Sequence, residues 1–187
     1  MPQWINQPPK ATDVSIFRII RTPANKPLQA IITCTDLVGC NTHYASNRTV
    51  PCDGQGQCQW CANGYSHRWH GYVSAIMLPG LEHVLFECTA TAADVFRNYY
   101  QLHDTLRACH FQATRPSKRP NGRVVIATRP GDPNKVRLPQ PPDIRRILCH
   151  LWNVRYDTEQ PTGMDKPPFK TIGLPDDNTD GRYQAQA

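Results

Sequence analysis

Short stretches in which apolar and polar positions alternate occupy the centre of the chain and predict β-strands. Residues 28–34 begin the series, and residues 70–78 and 83–89 follow as a hairpin around a Pro-Gly turn signal. Two further strands are predicted at residues 108–114, where the alternation is strict, and at residues 123–128, after the turn signal Pro-Asn-Gly. The pattern therefore predicts five short strands.

Two other segments repeat apolar residues at helical spacing. Residues 92–106 place Val95, Tyr99 and Leu102 on one side, and residues 143–153 form a second amphipathic segment after a proline-rich connector. The predicted order is five strands, with one helix between the third and fourth strands and a C-terminal helix. Because this is the order of an OB-fold, the sequence predicts a mainly β, OB-fold-like barrel. A general α+β sheet protein with a zinc loop is the alternative.

Proline content and periodicity divide the chain into three parts. Residues 1–27 and 155–187 are rich in proline and lack regular periodicity. They are expected to form an extended N-terminal arm and a disordered, mildly acidic C-terminal tail. The OB-fold-like domain is predicted at residues 28–154, and a zinc-binding loop at residues 40–64 is inserted after its first strand.

The charge distribution is compatible with a polyanion as the partner and equally with the solvated surface of an ordinary basic protein. The formal net charge is +6, and a basic body with a mildly acidic tail suits a protein that binds nucleic acid and contacts other proteins through the tail. The N-terminus has no signal-peptide pattern, and no apolar run approaches the roughly 20 residues of a membrane span. An intracellular, cytoplasmic protein without membrane contacts is expected.

The predicted loop contains the most specific motif of the sequence, H-x8-C-x5-C-x2-C. It is formed by His43, Cys52, Cys58 and Cys61. Three thiolates and one imidazole suit a closed, structural zinc site, and a gap of two residues lets the last two sulfurs reach one ion. Zinc is favoured over disulfides because an intracellular chain keeps its thiols reduced. Cys34 and Cys40 lie close in sequence and are alternatives to His43 or Cys52 as ligands.

With this order of ligands, the chain resembles the zinc-containing single-stranded-DNA-binding proteins of bacteriophages, which hold zinc between early strands of an OB-fold barrel. The resemblance covers the predicted topology of about residues 28–130 and the four ligands. It implies sequence-tolerant binding of single-stranded DNA during DNA replication, recombination or transfer, with RNA left open as a further ligand. By analogy with this functional class, the tail would contact replication or recombination proteins.

Binding of a single strand requires cations along the path of the backbone and aromatic faces on which bases stack. Such residues occur in and after the metal loop and between the fourth and fifth predicted strands, the connections that flank the channel of an OB-fold. The candidate nucleic-acid-binding residues are Tyr44, Trp60, Tyr65, Arg68, Tyr72, Arg115, Lys118, Arg119 and Arg123. Tyr72 is preferred to Trp69 for stacking, because Trp69 is in phase with the apolar positions of its strand.

The sequence contains no recognisable catalytic constellation. The His-x-Glu motif of zinc deaminases is absent, as are a phosphate-binding loop and a nucleophile elbow. The protein is therefore expected not to be an enzyme. Two alternatives stay open beside single-strand binding, namely a zinc-stabilised adaptor for protein–protein interaction and a nuclease of zinc-finger type.

Overall fold

The computed structural model describes residues 17–45, 48–54, 56–119, 122–132 and 137–156. The strands are β1 (Ile19–Ile20), β2 (Leu28–Ile32), β3 (Val38–Ala45), β4 (Arg48–Pro51), β5 (His67–Leu78), β6 (His83–Thr89), β7 (His110–Thr114) and β8 (Val125–Arg129). The helices are α1 (Gln59–Ala62), α2 (Ala90–His103) and α3 (Ile144–Trp152). The predicted mainly β character is confirmed, and both predicted helices are present.

β5 is the centre of the sheet because it is paired along both edges. β6 runs antiparallel along one edge, and the other edge pairs first with β3 and then with β2. β2 and β3 therefore act as one interrupted strand that follows β5 along most of its length. β7 and β8 extend the sheet beyond β2, and the short β1 adds to β6 in parallel.

This mixed sheet is open rather than closed into a barrel. Its strands follow the order β1-β6-β5-β2-β7-β8, and no pairing among the described residues joins the two ends of that path. The segment 40–64, expected to be a loop, contains most of β3, all of β4 and α1. The prediction of a loop was wrong because Thr42 and His43 are both buried in β3. With two polar residues at buried positions, this strand lacks the alternation of apolar residues by which strands are recognised.

Helices cover the two faces of the sheet. Phe86 of β6 and Phe111 of β7 pack against Phe96 of α2, with ring centroids 6.4 Å and 5.3 Å from the Phe96 ring, respectively. Tyr72 of β5 instead contacts Trp152 of α3. Because Tyr72 precedes Val73, which is the pairing partner of Phe86, α2 and α3 lie on opposite faces.

The described part of the predicted N-terminal arm, residues 17–27, is tied to the sheet. β1 pairs with β6, and Arg18 forms an ion pair with Glu82 at 2.5 Å. Residues 1–16 and the predicted tail from residue 157 onward lie outside the described residues, as do the partner contacts expected of that tail. In the part of the chain that is described, no helix has the length and apolar character needed to cross a membrane.

Candidate metal centre and its surroundings

The four residues predicted as metal ligands converge beside the start of β5. His43 lies in β3, Cys52 follows β4, Cys58 directly precedes the single turn α1, and Cys61 lies within it. β3 pairs with both β4 and β5, and the Cys52 N–H donates to the Asn41 carbonyl at 2.9 Å. The chain that leaves β4 is therefore held beside β3, where its cysteine can meet the histidine.

Tight turns bring the Cys58–Cys61 segment back toward β3. The Cys58 N–H donates to the Gly54 carbonyl at 3.1 Å, and the Gly64 N–H donates to the Cys61 carbonyl at 3.0 Å. Gly54 and Gly64 have φ angles of 96° and 77°, in the left-handed region that favours glycine. The two glycines thus allow the chain to reverse direction before and after the cysteine pair.

The distances within the cluster suit a tetrahedral metal ion. The ligand atoms of all four residues lie within 4.8 Å of one another. The Cys52 and Cys61 sulfurs are 3.6 Å apart, and His43 Nε2 lies 3.4 Å from Cys58 Sγ and 3.5 Å from Cys61 Sγ. Tetrahedral zinc, with bonds of about 2.3 Å to sulfur and about 2.0 Å to nitrogen, separates two sulfurs by about 3.8 Å and sulfur from nitrogen by about 3.5 Å. The cluster can therefore hold a four-coordinate metal ion.

A hydrogen bond from the other ring nitrogen of His43 orients this side chain for metal binding. His43 Nδ1 donates to the Ser66 carbonyl at 3.1 Å, which leaves the lone pair of Nε2 directed at the sulfurs. His43 and Cys58 are only 1% and 2% exposed, whereas Cys52 and Cys61 are half-buried. No sequence pattern could indicate the Ser66 contact, because a backbone carbonyl is available from any residue type.

The thiols of the cluster differ in acidity. Burial opposes ionisation of Cys58, but hydrogen bonds from the backbone of Cys61, Asp53 and Trp60 outweigh it and lower the pKa of this thiol to about 6. Burial and the neighbouring sulfurs of Cys52 and Cys58 raise the pKa of Cys61 to about 11. A bound cation would favour the thiolate form of each ligand.

The two alternative ligands lie away from the cluster. Cys34 is buried in the core, where its sulfur accepts a hydrogen bond from the Ser74 N–H at 3.3 Å. Cys40 is three residues before His43 in β3 and so points to the opposite face of the strand. Burial raises the pKa of Cys40 to about 12. Within the described residues, which include all eight cysteines of the sequence, no disulfide is formed.

Four of the predicted nucleic-acid-binding residues lie close to the metal cluster in the chain or in the strand pairing. Tyr44 follows His43 and is 65% exposed, and Tyr65 is 45% exposed. Arg68 is exposed in β5, and Trp60, between two ligands, is half-buried. The rings of Trp60 and Tyr65 pack edge to face with centroids 5.4 Å apart. Tyr44 and Arg68 point to the face of the sheet opposite His43, because Tyr44 is the next residue in β3 and Arg68 pairs with Thr42. The two residues therefore lie at the same end of the sheet as the metal cluster but on its other face, whereas Trp60 and Tyr65 belong to the metal loop itself.

Tyr72 does not present a face for stacking, and this prediction is wrong. Its side chain is 0% exposed, its ring packs edge to face against Trp152 at 5.7 Å, and its hydroxyl donates to Glu87 at 3.4 Å. Burial, followed by the Glu87 charge, raises the pKa of the hydroxyl above its usual range. The prediction assumed one solvent-exposed face for this strand, whereas α3 covers the second face.

Replacing Tyr72 with Phe should lower the free energy of unfolding by up to about 1 kcal/mol, because the hydrogen bond to Glu87 is lost while the ring stays packed. Single-strand affinity should stay the same, since the hydroxyl points into the protein. Urea unfolding and an anisotropy titration measure the two quantities. A loss of single-strand affinity with an unchanged free energy of unfolding would show that Tyr72 does take part in binding.

The connection between β7 and β8 lies at the other end of the sheet from the metal cluster. Gln29 of β2 pairs with Leu78, the last residue of β5, on one side and with Gln112 on the other. The cluster instead adjoins His67, the first residue of β5, which pairs with His43. β5 has 12 residues, so about 35 Å of strand separates the two regions. The sequence had predicted that the metal loop and the β7–β8 connection flank a common groove. The structure shows that they do not.

The cations of this connection have different roles. Arg115 is half-buried, and its guanidinium donates to the carbonyls of Thr22, at 2.8 Å, and Gly122. It therefore holds the N-terminal segment and the β7–β8 connection together rather than facing a ligand. Lys118, Arg119 and Arg123 have exposed side chains.

No family model, curated protein or solved structure matches the chain. The resemblance to the bacteriophage proteins in the order of ligands therefore stays a prediction. The function is argued below from the geometry and chemistry of this chain's own residues.

Proposed function

We propose that the protein binds single-stranded DNA on a surface that is ordered by a structural zinc ion. The observation that carries the proposal is the cluster of His43, Cys52, Cys58 and Cys61 beside exposed aromatic and cationic residues. Zinc is the metal that best suits this ligand set, because three thiolates and one imidazole in tetrahedral contact are typical of closed zinc sites. Four protein ligands leave no position for water or substrate, which favours a binding protein over an enzyme.

The zinc, when bound, supplies four bonds that link β3, the chain after β4 and α1. The aromatic residues would then meet the strand on a fixed backbone, so that little ordering entropy is lost on binding. Tyr44, Tyr65 and Trp60 offer rings for base stacking, and Arg68 offers a guanidinium for a phosphate. None of these contacts requires a particular base, so the binding would be tolerant of sequence. The open sheet would thus serve as the barrel does in OB-fold proteins.

Such a protein would act where single strands are transiently exposed, as in DNA replication, recombination or transfer. The first test is a fluorescence-anisotropy titration of a labelled oligothymidylate at two salt concentrations, with duplex DNA as competitor. Each phosphate contact should contribute about 0.7 to the slope of log K against log salt. Tight, salt-sensitive binding that resists duplex supports the proposal. Absence of binding by folded, zinc-loaded protein would contradict it and favour the adaptor.

Replacing Tyr44 with Ala should weaken oligothymidylate binding about tenfold, because one stacked base contributes about 1–3 kcal/mol. The side chain is 65% exposed, so its removal should leave the fold intact. Lys118→Ala is the matched control, because Lys118 is also exposed but lies at the far end of the sheet. A larger loss from Lys118→Ala than from Tyr44→Ala would place the interface at the β7–β8 connection instead.

A further inference from the structure

A cleft opens between the N-terminal segment and the C-terminal end of α3, on the face of the sheet that carries Tyr72. Its volume is about 540 Å³. Apolar, aromatic and polar residues line it, among them Phe17, Ile19, Arg21, Thr49, Leu151 and Trp152. One part of the wall is apolar and aromatic, and the other carries a guanidinium and a hydroxyl. That combination suits a ligand with a flat ring next to an anionic group.

Arg21 is held rigidly at the wall of this cleft. Its Nε and Nη2 donate to the two carboxylate oxygens of Glu87 at 2.6 Å and 3.1 Å, and Nη2 also donates to Thr49 Oγ1 at 2.8 Å. The Glu87 side chain is 4% exposed, whereas that of Arg21 is 51% exposed. Nη1 has no hydrogen-bond partner among the described residues. The buried carboxylate therefore fixes one edge of the guanidinium and leaves the other edge for an acceptor.

Trp152 forms the aromatic part of the wall and is also held in place. Its indole packs edge to face against the buried ring of Tyr72, with centroids 5.7 Å apart. A ring fixed in this way loses little freedom when a base stacks on it. The cleft thus offers an anchored cation and an anchored aromatic ring.

The cleft is continuous with the surface formed by Tyr44 and Arg68, on the face of the sheet opposite His43. Thr49, which accepts from Arg21, is the cross-strand partner of Tyr44 in the β3–β4 ladder. Arg68 is the partner of Thr42, two residues before Tyr44 and on the same face. A strand bound at Arg68 and Tyr44 would therefore meet Arg21 next.

We propose that this cleft holds one nucleotide of the bound single strand, with its phosphate at Arg21 and its base against Trp152. The inference rests on the proposed function and specifies where the strand runs, from Arg68 and Tyr44 toward the end of α3. It also assigns a role to the N-terminal segment, which closes one side of the cleft.

The test uses the full chain and two variants. The double variant Arg21→Met with Glu87→Gln removes the guanidinium without leaving an unpaired carboxylate in the interior. The single variant Lys118→Met, which removes one exposed cation at the far end of the sheet, is the matched control. With oligothymidylate as the probe, the double variant should bind about tenfold more weakly, and its salt slope should fall by about 0.7. The control should bind within about twofold of wild type and keep the wild-type slope.

Photo-crosslinking of wild-type protein to an iodouracil-substituted oligonucleotide gives a readout that does not depend on a variant's folding. Peptide mapping should place a crosslink at Trp152. Wild-type affinity and slope in the double variant, together with crosslinks elsewhere, would overturn the cleft while leaving single-strand binding intact. Failure of the wild type to bind any single strand would overturn the proposed function and the cleft together, so the two failures are distinguishable.

Discussion

Replacing Cys58 with Ser is expected to abolish stoichiometric zinc binding and to weaken single-strand binding at least tenfold. Cys58 is the most buried thiol of the cluster, 2% exposed and 3.4 Å from His43 Nε2. A serine hydroxyl stays protonated and does not replace a thiolate as a zinc ligand. Without the metal, the segment around α1 depends on a few turn hydrogen bonds and on glycines that favour many conformations. Metal content after dialysis, the melting temperature and oligothymidylate affinity measure the three consequences.

Cys40→Ser is the matched control for this experiment. Cys40 lies in the same region and was an alternative ligand in the sequence, but it points to the other face of β3. The variant should keep one zinc per chain and bind single strands like the wild type. Retention of zinc by Cys58→Ser together with its loss from Cys40→Ser would show that the ligand set is wrong.

The strands and helices that the sequence predicted correctly are those whose buried faces are apolar. β2 and β7 bury residues such as Ile32 and Phe111 in the core that also contains Phe96 of α2, and so show alternation or a β-rich run. β3 does not, because the buried His43 contributes to the metal cluster and the buried Thr42 hydrogen-bonds His70 at 2.6 Å. A strand stabilised by polar contacts of this kind has no hydrophobic pattern to detect.

The residues of the candidate metal cluster were predictable because their geometry is local. Two cysteines separated by two residues reach one ion within a single turn, and His43 and Cys52 are brought together by a hairpin. The candidate nucleic-acid surface depended on long-range pairing instead. Which end of β5 adjoins the β7–β8 connection follows from the register of β2, and no short motif specifies that register.

The role of Arg21 also depends on long-range pairing and could not be predicted from a short motif. It lies in a proline-rich segment without periodicity, which the sequence indicated to be an extended arm. Its structural role depends on Glu87, 66 residues away. Only the pairing of β1 with β6 brings that carboxylate beneath the guanidinium.

Replacing Phe96 with Ala should lower the free energy of unfolding by about 3–5 kcal/mol. The ring is 0% exposed and is the contact through which α2 packs on Phe86 and Phe111. Its removal leaves a cavity that three elements cannot close without moving the helix, and the aromatic edge-to-face contacts are lost as well. Urea unfolding followed by circular dichroism measures the change.

The same helix supplies the control, because Leu102 of α2 is 80% exposed. Leu102→Ala should change the free energy of unfolding by less than about 0.5 kcal/mol. Under conditions in which both variants are folded, each should bind oligothymidylate and zinc like the wild type, because Phe96 makes its contacts inside the core. A folded Phe96→Ala protein that no longer binds single strands would mean that α2 takes part in the interface, and the strand path from Arg68 to Arg21 would then have to be abandoned.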